Sequence, residues 1–266
     1  MRYFKKIPFP YPELAGLVGS QPLPTEIEEF IANISKPDGT PAIRHWMQPG
    51  AQYYGRLSGN FDAWRDIASG KMYYLETGIS LVQSAAINGR PTIHLDGTVA
   101  FVPQADTQIG TSAITFISVF LPAGTDAANM FMLGPTFGSP TAVGAPTILL
   151  TTTGFGTYLG GAGRINHDAA DYLSATAKLM TVTMSPSYGV SIRRNGVEVV
   201  RDTTRTSPLS TNLVRLYGQP GANGRPAGDT GHVFIGDEDL SKPEYIAQLK
   251  RIEQYYMTYY GITAGS

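Results

Sequence analysis

The chain has 266 residues, of which 42% are hydrophobic and 15% are charged, so it can build a sizeable core and is not disordered as a whole. Its 20 basic and 21 acidic residues give a net charge of −1, which leaves no global field to attract nucleic acid or anionic lipid. The chain contains no cysteine, which excludes disulfide frameworks, thiolate zinc sites and cysteine nucleophiles.

The first residues of the sequence do not resemble an export signal, and no segment resembles a membrane span. Its basic residues are followed by Pro8, Pro10 and Pro12, whereas a signal peptide needs an unbroken apolar stretch there. The longest apolar stretches elsewhere, such as 114–121, are short and contain Thr and Ser. We therefore expect no membrane partner, and synthesis in a cytoplasm.

The first 45 residues differ from the rest and form a predicted N-terminal arm. Their prolines favour extended or polyproline conformations. The arm's aromatic residues, which interleave with these prolines, are Tyr3, Phe4, Phe9 and Tyr11. Such a segment is too apolar to be a solvated linker. Two interpretations stay open: a strap across the protein's own body, or an assembly interface that docks on a neighbouring subunit.

A short helix is predicted near the end of this arm, over about residues 26–35. Thr25 and Glu28 have the spacing of a capping box, and apolar side chains follow at helical spacing. The sequence Lys-Pro-Asp-Gly at 36–39 ends the helix.

From about residue 46 to 240 the pattern is almost entirely strand and turn. Residues 114–121 are rich in β-branched and aromatic side chains and are bounded by Gly110 and Pro122. Asn195 and Gly196 separate two such runs, which predicts a tight hairpin because both turn positions need a positive φ. Short strands with turns between them favour a sandwich over βαβ units.

A second helix is predicted over about residues 242–260. Ser241 and Glu244 have capping-box spacing, and Gly261 is a natural left-handed cap at the other end. Its apolar stripe, which predicts core packing, consists of Tyr245, Leu249, Ile252, Tyr256 and Tyr259.

Several passages together resemble a known family. Residues 64–70 have the sequence WRDIASG, which begins at Trp64 and is similar to a Trp-x-Asp-x-Ser-Gly stretch. Residues 87–97 have the sequence INGRPTIHLDG and are similar to a turn followed by a strand that ends here at Asp96 and Gly97. The final helix, which closes on Tyr-Gly-Ile at 260–262, and the hairpin at Asn195 are also similar. Residues 46–262 thus resemble the concanavalin A-like lectin/glucanase superfamily, in the laminin G-like form of bacteriophage virion proteins.

This resemblance implies a mainly β fold: a jelly-roll sandwich of two antiparallel sheets over residues 46–266, with the N-terminal arm outside it and the C-terminal helix closing it. It does not decide the function, because the superfamily contains enzymes, lectins and inert structural modules.

A glycoside hydrolase of this superfamily needs paired carboxylates on one face of a strand. Glu198 and Asp202 have suitable spacing, although Val200 stands between them where a middle carboxylate is expected. A second acidic cluster at 237–239 precedes the last helix, and the favourable helix dipole is a sufficient reason for it. We expect no catalytic residue in either place.

The sequence predicts neither a cofactor nor a metal, with calcium as the open alternative. The four histidines are far apart in sequence and contain no ligand pair; they are His45, His94, His167 and His232. His94 alternates with apolar neighbours and is expected to be structural. The acidic loop residues that calcium would need are Asp126, Asp168, Asp171, Asp229 and Asp237.

The remaining candidates are basic and aromatic side chains. Arginines around one hairpin are expected to form a solvated, charged edge and not a nucleic-acid surface; they are Arg193, Arg194, Arg201 and Arg205. The tyrosines available for sugar binding are Tyr53, Tyr54, Tyr73, Tyr74 and Tyr158.

Three function classes follow from these observations. The leading hypothesis is a non-enzymatic structural protein of a bacteriophage virion, such as a capsid decoration protein, head fibre or tail accessory, with other virion proteins and itself as partners. The alternative is a lectin-like module that recognises host surface glycan. A glycoside hydrolase is third.

Overall fold

The computed structural model describes residues 26–50, 54–56, 61–75, 82–98, 100–103, 113–123, 128–133, 147–151, 154–158, 164–169, 172, 174–206, 214–217 and 226–265. The four arm aromatics Tyr3, Phe4, Phe9 and Tyr11 therefore lie outside the described residues. None of the described helices is long and apolar enough to cross a bilayer.

Two antiparallel sheets form the body of the protein. The strands of the eight-stranded sheet are β1 (Ile43–Met47), β5 (Val82–Ile87), β6 (Arg90–Asp96), β8 (Ile114–Pro122), β13 (Lys178–Ser185), β14 (Gly189–Arg194), β15 (Val197–Asp202) and β17 (Ala227–Gly236). Those of the nine-stranded sheet are β2 (Tyr54–Arg56), β3 (Phe61–Arg65), β4 (Met72–Leu75), β7 (Phe101–Pro103), β9 (Ala128–Leu133), β10 (Thr147–Thr151), β11 (Gly154–Tyr158), β12 (Arg164–Asp168) and β16 (Val214–Leu216). The mainly β sandwich that the sequence predicts is confirmed.

The strand order shows which strands are central and which lie at an edge. The eight-stranded sheet runs β15-β14-β13-β8-β17-β6-β5, and β1 pairs with the second half of β17. The nine-stranded sheet runs β12-β11-β10-β9-β16-β7-β4-β3-β2. The predicted domain boundary at residue 45 falls inside β1, so the end of the arm segment is itself part of a sheet.

Alternating side chains divide the apolar residues into two cores. On β8, Phe116 and Phe120 point to the inner core between the sheets, whereas Ile117 and Val119 point to the outer core. The outer core lies between the eight-stranded sheet and two helices, α1 (Glu26–Ala32) and α2 (Ile246–Tyr260). We call the two sides of this sheet its inner and outer faces.

The first helix is shorter than predicted. It ends at Ala32 rather than near residue 35, because the backbone then turns back on itself. Ser35 forms a bridge with Pro41, and the Ala42 amide donates to the Ile34 carbonyl oxygen. Chain pairing therefore replaces the last predicted helical turn.

The second helix begins four residues later than predicted, and the capping box is wrong. Tyr245 is the N-cap and forms no side-chain cap hydrogen bond. The Ser241 hydroxyl donates to the Asp239 carboxylate (2.7 Å) and accepts from the Thr183 hydroxyl (2.8 Å), so it does not cap α2. Glu244 precedes the N-cap residue, so it does not occupy the third helical position that a capping box requires. Gly261 ends the helix in the left-handed conformation (φ 66°), as the sequence predicts.

Most of the stripe predicted on α2 packs into the outer core. Tyr245, Leu249, Ile252 and Tyr256 are buried, whereas Tyr259 is half-buried. The helix also buries Glu253 and Tyr260, which the stripe does not include.

Three turn residues named from the sequence have a positive φ in the structure, as a tight turn requires. Asn195 and Gly196 join β14 to β15 with φ of 45° and 78°. Gly97 also has a positive φ (83°), directly after Asp96, whose carboxylate accepts hydrogen bonds from the backbone and side chain of Thr98.

The Trp64 passage forms a junction between the two sheets. The Trp64 indole donates to the Gln48 carbonyl oxygen (3.0 Å) and its ring is fully buried. Asp66 is also fully buried, and its carboxylate accepts hydrogen bonds from the Trp46 and Ala68 amides and lies 2.7 Å from Nδ1 of His45. This passage therefore has a structural role.

Candidate ligand-binding surface

The carboxylate pair with catalytic spacing lies on opposite faces of its strand. Glu198 is paired with Arg193 and Asp202 with Val190, and the register shifts between these two pairs. This β-bulge adds one residue to β15, so the side chains at i and i+4 no longer share a face. Glu198 therefore points to the outer face and Asp202 to the inner side, and the two cannot act on one bond.

Each of these carboxylates is also held by its own neighbours. Burial alone raises the pKa of Glu198, but hydrogen bonds from Arg201 and Ser191 outweigh this effect and lower the pKa. Hydrogen bonds from Thr204 lower the pKa of Asp202. Both groups are kept as ionised partners, whereas a general acid needs a raised pKa.

The acidic cluster at 237–239 does not serve the helix dipole, because α2 begins seven residues later. Its three carboxylates are buried and have other partners. Asp237 pairs with Arg44 (2.5 Å) and Lys36 (3.3 Å), and Glu238 pairs with Lys242 (2.7 Å). The cluster thus fixes the segment that leads from β17 to α2.

The described residues contain no group of three or more His, Asp or Glu side chains that could hold a metal ion. Asp168 is exposed and accepts a hydrogen bond from Asn166, and Asp229 and Asp237 lie apart from it with partners of their own. Asp126 and Asp171 lie outside the described residues. Calcium binding stays the open alternative that the sequence predicts.

The arginine cluster is not a uniform solvated edge, which corrects the prediction for Arg193. Its guanidinium is buried and binds the Glu253 carboxylate of α2 through Nε and Nη2 (both 2.9 Å). Arg194, on the other face, stacks 5.0 Å from the Tyr172 ring. Sequence alone did not reveal the Arg193 pair because its partner is 60 residues away.

Of the predicted tyrosine set, the structure describes two side chains, and neither is fully exposed. Tyr73 is fully buried and contacts the His45 ring edge-on, and Tyr74 is half-buried. Tyr53 and the side chains of Tyr54 and Tyr158 lie outside the described residues.

The four histidines occupy separate places. His45 is buried beside the Asp66 carboxylate, and His232 is buried with its Nδ1 2.8 Å from the Tyr260 hydroxyl. Nδ1 of His167 lies 3.0 Å from the Tyr172 hydroxyl. His94 also lies beside a carboxylate, that of Asp229, but differs from the two buried histidines because its side chain is 41% exposed.

The sheet register places His94 in a small polar group on the outer face. Ile93 and Leu95 point into the inner core, so Thr92 and His94 point outward. Asp229 of β17 stands opposite His94. Its carboxylate accepts a hydrogen bond from the Thr92 hydroxyl (3.2 Å) and lies 3.4 Å from His94 Nδ1.

His94 is the exposed member of this group because, among the described residues, α2 covers only part of the outer face. The helix ends beside β6, where the Tyr260 hydroxyl meets the Pro91 carbonyl oxygen (3.5 Å). Farther along β6, His94 is paired with Val82 of β5, which is 54% exposed. We call Val82, Thr92, His94 and Asp229 the open patch.

The open patch combines an apolar surface with directed polar atoms. Asp229 is nearly buried (9% of its side chain is exposed) and lies beside Nδ1, so Nε2 is the His94 nitrogen available to a ligand. Such a combination suits hydroxyl-rich ligands, whose C–H and O–H groups need both kinds of contact. Sequence reasoning named His94 and Asp229 separately but did not join them, because their pairing depends on sheet register.

A scan of family models finds no match for this sequence, and neither does a search of curated proteins. Solved structures do match. One is the binding domain of botulinum neurotoxin DC in complex with rat synaptotagmin II (TM-score 0.55, 10% identity, 80% of this chain and 52% of that chain). A second is the binding domain of Paraclostridial Mosquitocidal Protein 1 (TM-score 0.59, 11% identity, 81% and 52%).

A third match is the binding domain of botulinum neurotoxin DC in complex with SialylT (TM-score 0.53, 9% identity, 80% and 52%). These matches agree with the β-sandwich fold described above. At these identities the likeness concerns the fold alone, and the chain spans about half the length of the structures it matches. The three matched structures are binding domains. The narrower resemblance to phage laminin G-like proteins remains a prediction.

Proposed function

We propose that this chain is a non-catalytic binding module that recognises glycan through the open patch. The observation that carries this proposal is an exposed imidazole, positioned by a nearly buried carboxylate, on a face of the sandwich that the helices leave uncovered. The separation of Glu198 from Asp202 supports a binding role over hydrolysis.

The structural neighbours support the same class of function. The domains they represent are binding domains, and two of them were solved with a bound partner, SialylT and rat synaptotagmin II. Transfer of this property to the present chain is part of the proposal, since the sequences are about one-tenth identical.

A glycan array with sialylated and neutral glycans tests the proposal. We expect the wild-type chain to bind, and His94→Ala to weaken binding at least about tenfold, because it removes the polar atom that the patch directs outward. His167→Ala is the matched control, since His167 also has an oxygen partner at Nδ1, the Tyr172 hydroxyl, but lies on the other sheet. Chelator should not change binding. A wild-type chain that binds no glycan would refute the proposal.

The virion role is a second proposal, supported by the arm sequence. Three prolines and four aromatic residues stand among the first 12 positions. The segment that follows contains α1, which packs into the outer core, and β1, which pairs with β17. Deletion of residues 2–24 should leave the sandwich folded and lower its occupancy on phage particles. Equal occupancy of the two forms would contradict a docking role.

A further inference from the structure

Two hairpins of the eight-stranded sheet turn on the same dipeptide. Asn88 and Gly89 join β5 to β6, and Asn195 and Gly196 join β14 to β15. All four residues have a positive φ, as a tight turn of this kind requires. A further Asn-Gly dipeptide, at 223–224, lies outside the described residues. Because the two turns share one local sequence, a difference in the chemistry of their asparagines comes from their surroundings.

The turn at Asn195 is enclosed and held by hydrogen bonds. Asn195 is 1% exposed, its side-chain Oδ1 accepts from the Leu179 amide (2.8 Å), and its own amide donates to the Leu179 carbonyl oxygen (2.9 Å). The Arg193 guanidinium donates to the Gly196 carbonyl oxygen (2.6 Å). A Cβ added at Gly196 would stand 3.0 Å from Met257 Cε, so α2 covers the turn. These contacts prevent the Asn195 side chain from turning toward the backbone nitrogen of Gly196.

The turn at Asn88 is open. Asn88 and Gly89 are exposed, and a Cβ added at Gly89 would meet no atom within 4 Å. Ile87 and Arg90 pair next to the turn, but the register then shifts between Ser84 and Ile87. An irregular ladder holds a turn less firmly than a continuous one, because local opening breaks fewer hydrogen bonds. The Asn88 side chain can therefore approach the Gly89 nitrogen, and water reaches both.

We propose that Asn88 is a site of spontaneous deamidation in the folded chain, whereas Asn195 is protected. The Gly89 backbone nitrogen loses its proton and attacks Cγ of Asn88, so that an N–Cγ bond forms, the Cγ–Nδ2 bond breaks and ammonia leaves. Water then opens the resulting succinimide ring at either of its two carbonyl carbons. The products are an aspartate, or an isoaspartate in which the backbone runs through the side-chain carbonyl carbon. The reaction consumes one water and changes no oxidation state.

The new carboxylate would lie at the end of α2. The Asn88 side chain stands against Gly261, the C-cap of that helix, since a Cβ added there would be 2.7 Å from Asn88 Nδ2. The carbonyl end of a helix carries a partial negative charge, so a carboxylate there is unfavourable. The Arg90 guanidinium, which donates to the Tyr259 carbonyl oxygen (3.1 Å), offsets part of this charge. We expect deamidation to loosen the last turn of α2.

Peptide mapping by mass spectrometry tests the reaction. When the folded chain is incubated in mildly alkaline buffer, Asn88 should convert at least about tenfold faster than Asn195, because the buried turn opens more rarely. In urea that unfolds the chain, the two asparagines should convert at similar rates, because each precedes a glycine. Equal rates in the folded chain would overturn the inference. So would an Asn88 that keeps its amide in the folded chain but loses it in urea.

Two variants test the attacking atom and the effect on α2. Gly89→Ala places a methyl group beside the attacking nitrogen, where the fold has space for it, and should slow conversion of Asn88 at least about tenfold. Conversion at the wild-type rate would show that this nitrogen does not attack. Asn88→Asp carries the charge of the product, and amide hydrogen exchange in the last turn of α2 should rise about twofold to fivefold. Unchanged exchange there would refute the effect on α2. Neither readout involves glycan, so this inference and the proposed function fail separately.

Discussion

The two faces of the eight-stranded sheet are stabilised in different ways. The inner face buries apolar side chains such as Phe116, Phe120 and Val182 against the other sheet. The outer face also buries apolar groups, but ionic and hydrogen-bonded pairs, such as Arg193–Glu253, hold α2 on it. Apolar side chains can be buried in many packing arrangements, whereas a bidentate ion pair forms in only one relative position of its two side chains. We infer that the outer face uses buried polar groups to fix the position of α2.

The largest expected effect comes from breaking the buried pair. Glu253→Ala leaves the Arg193 guanidinium buried without its partner, and the free energy of unfolding in urea should fall by about 3–5 kcal/mol. Glu198→Ala breaks the more exposed Arg201 pair and should cost less than about 1 kcal/mol.

A double variant decides whether charge or packing is responsible. Arg193→Met with Glu253→Met removes both charges and keeps most of the side-chain volume, so it should recover most of the stability lost in Glu253→Ala. If Glu253→Ala costs no more than Glu198→Ala, the contrast between the two faces is wrong.

Acid should weaken the outer face through His232. Burial among the rings of Tyr255, Tyr256, Tyr259 and Tyr260 lowers the pKa of His232 from 6.5 to about 3. Between these values the unfolded chain binds a proton that the folded chain does not, so stability falls as the pH falls. The slope should reach about 1.4 kcal/mol per pH unit below pH 6.5.

His232→Asn tests this slope by urea unfolding at several pH values. The variant should be less stable at pH 7, because it loses the ring contacts, but its stability should decline less steeply between about pH 6.5 and 4. Parallel curves for the variant and wild type would show that another group causes the acid sensitivity.

The smallest effect is expected at the end of α2. Gly261 and Gly39 both have a left-handed backbone (φ 66° and 78°). A Cβ added at 261 would stand 2.7 Å from the Asn88 side chain, whereas a Cβ added at 39 would meet no atom within 4 Å. Gly39→Ala should cost about 1 kcal/mol for backbone strain and Gly261→Ala about 2 kcal/mol, measured by thermal unfolding. Equal losses would mean that Asn88 moves aside freely.

Local features of the fold could be predicted from the sequence. The hairpin at Asn195 and Gly196 and the helix end at Gly261 depend on backbone conformations that few residues adopt, so their signals are contained within a few positions. The strand predicted over 114–121 is observed as Ile114–Pro122 for a similar reason, since its composition and bounding residues are local.

Features that depend on distant partners could not be predicted. Ser241 has the sequence context of an N-cap, but Thr183 and Asp239 engage its hydroxyl in the folded chain. The bulge in β15 places Glu198 and Asp202 on opposite faces of the strand. Their spacing in the sequence does not reveal the bulge. The open patch was missed because it arises where β6 and β17 align.

The pairing of β1 with β17 has a consequence for synthesis. Arg44 and Asp237, which form an ion pair beside these strands, are separated by 193 positions. A ribosome that adds about 5–20 residues per second needs about 10–40 s to span that interval. During this time β1 and the apolar side of α1 lack β17 and α2, the elements against which they pack in the folded protein, so we expect the nascent chain to depend on chaperones until its last strand emerges.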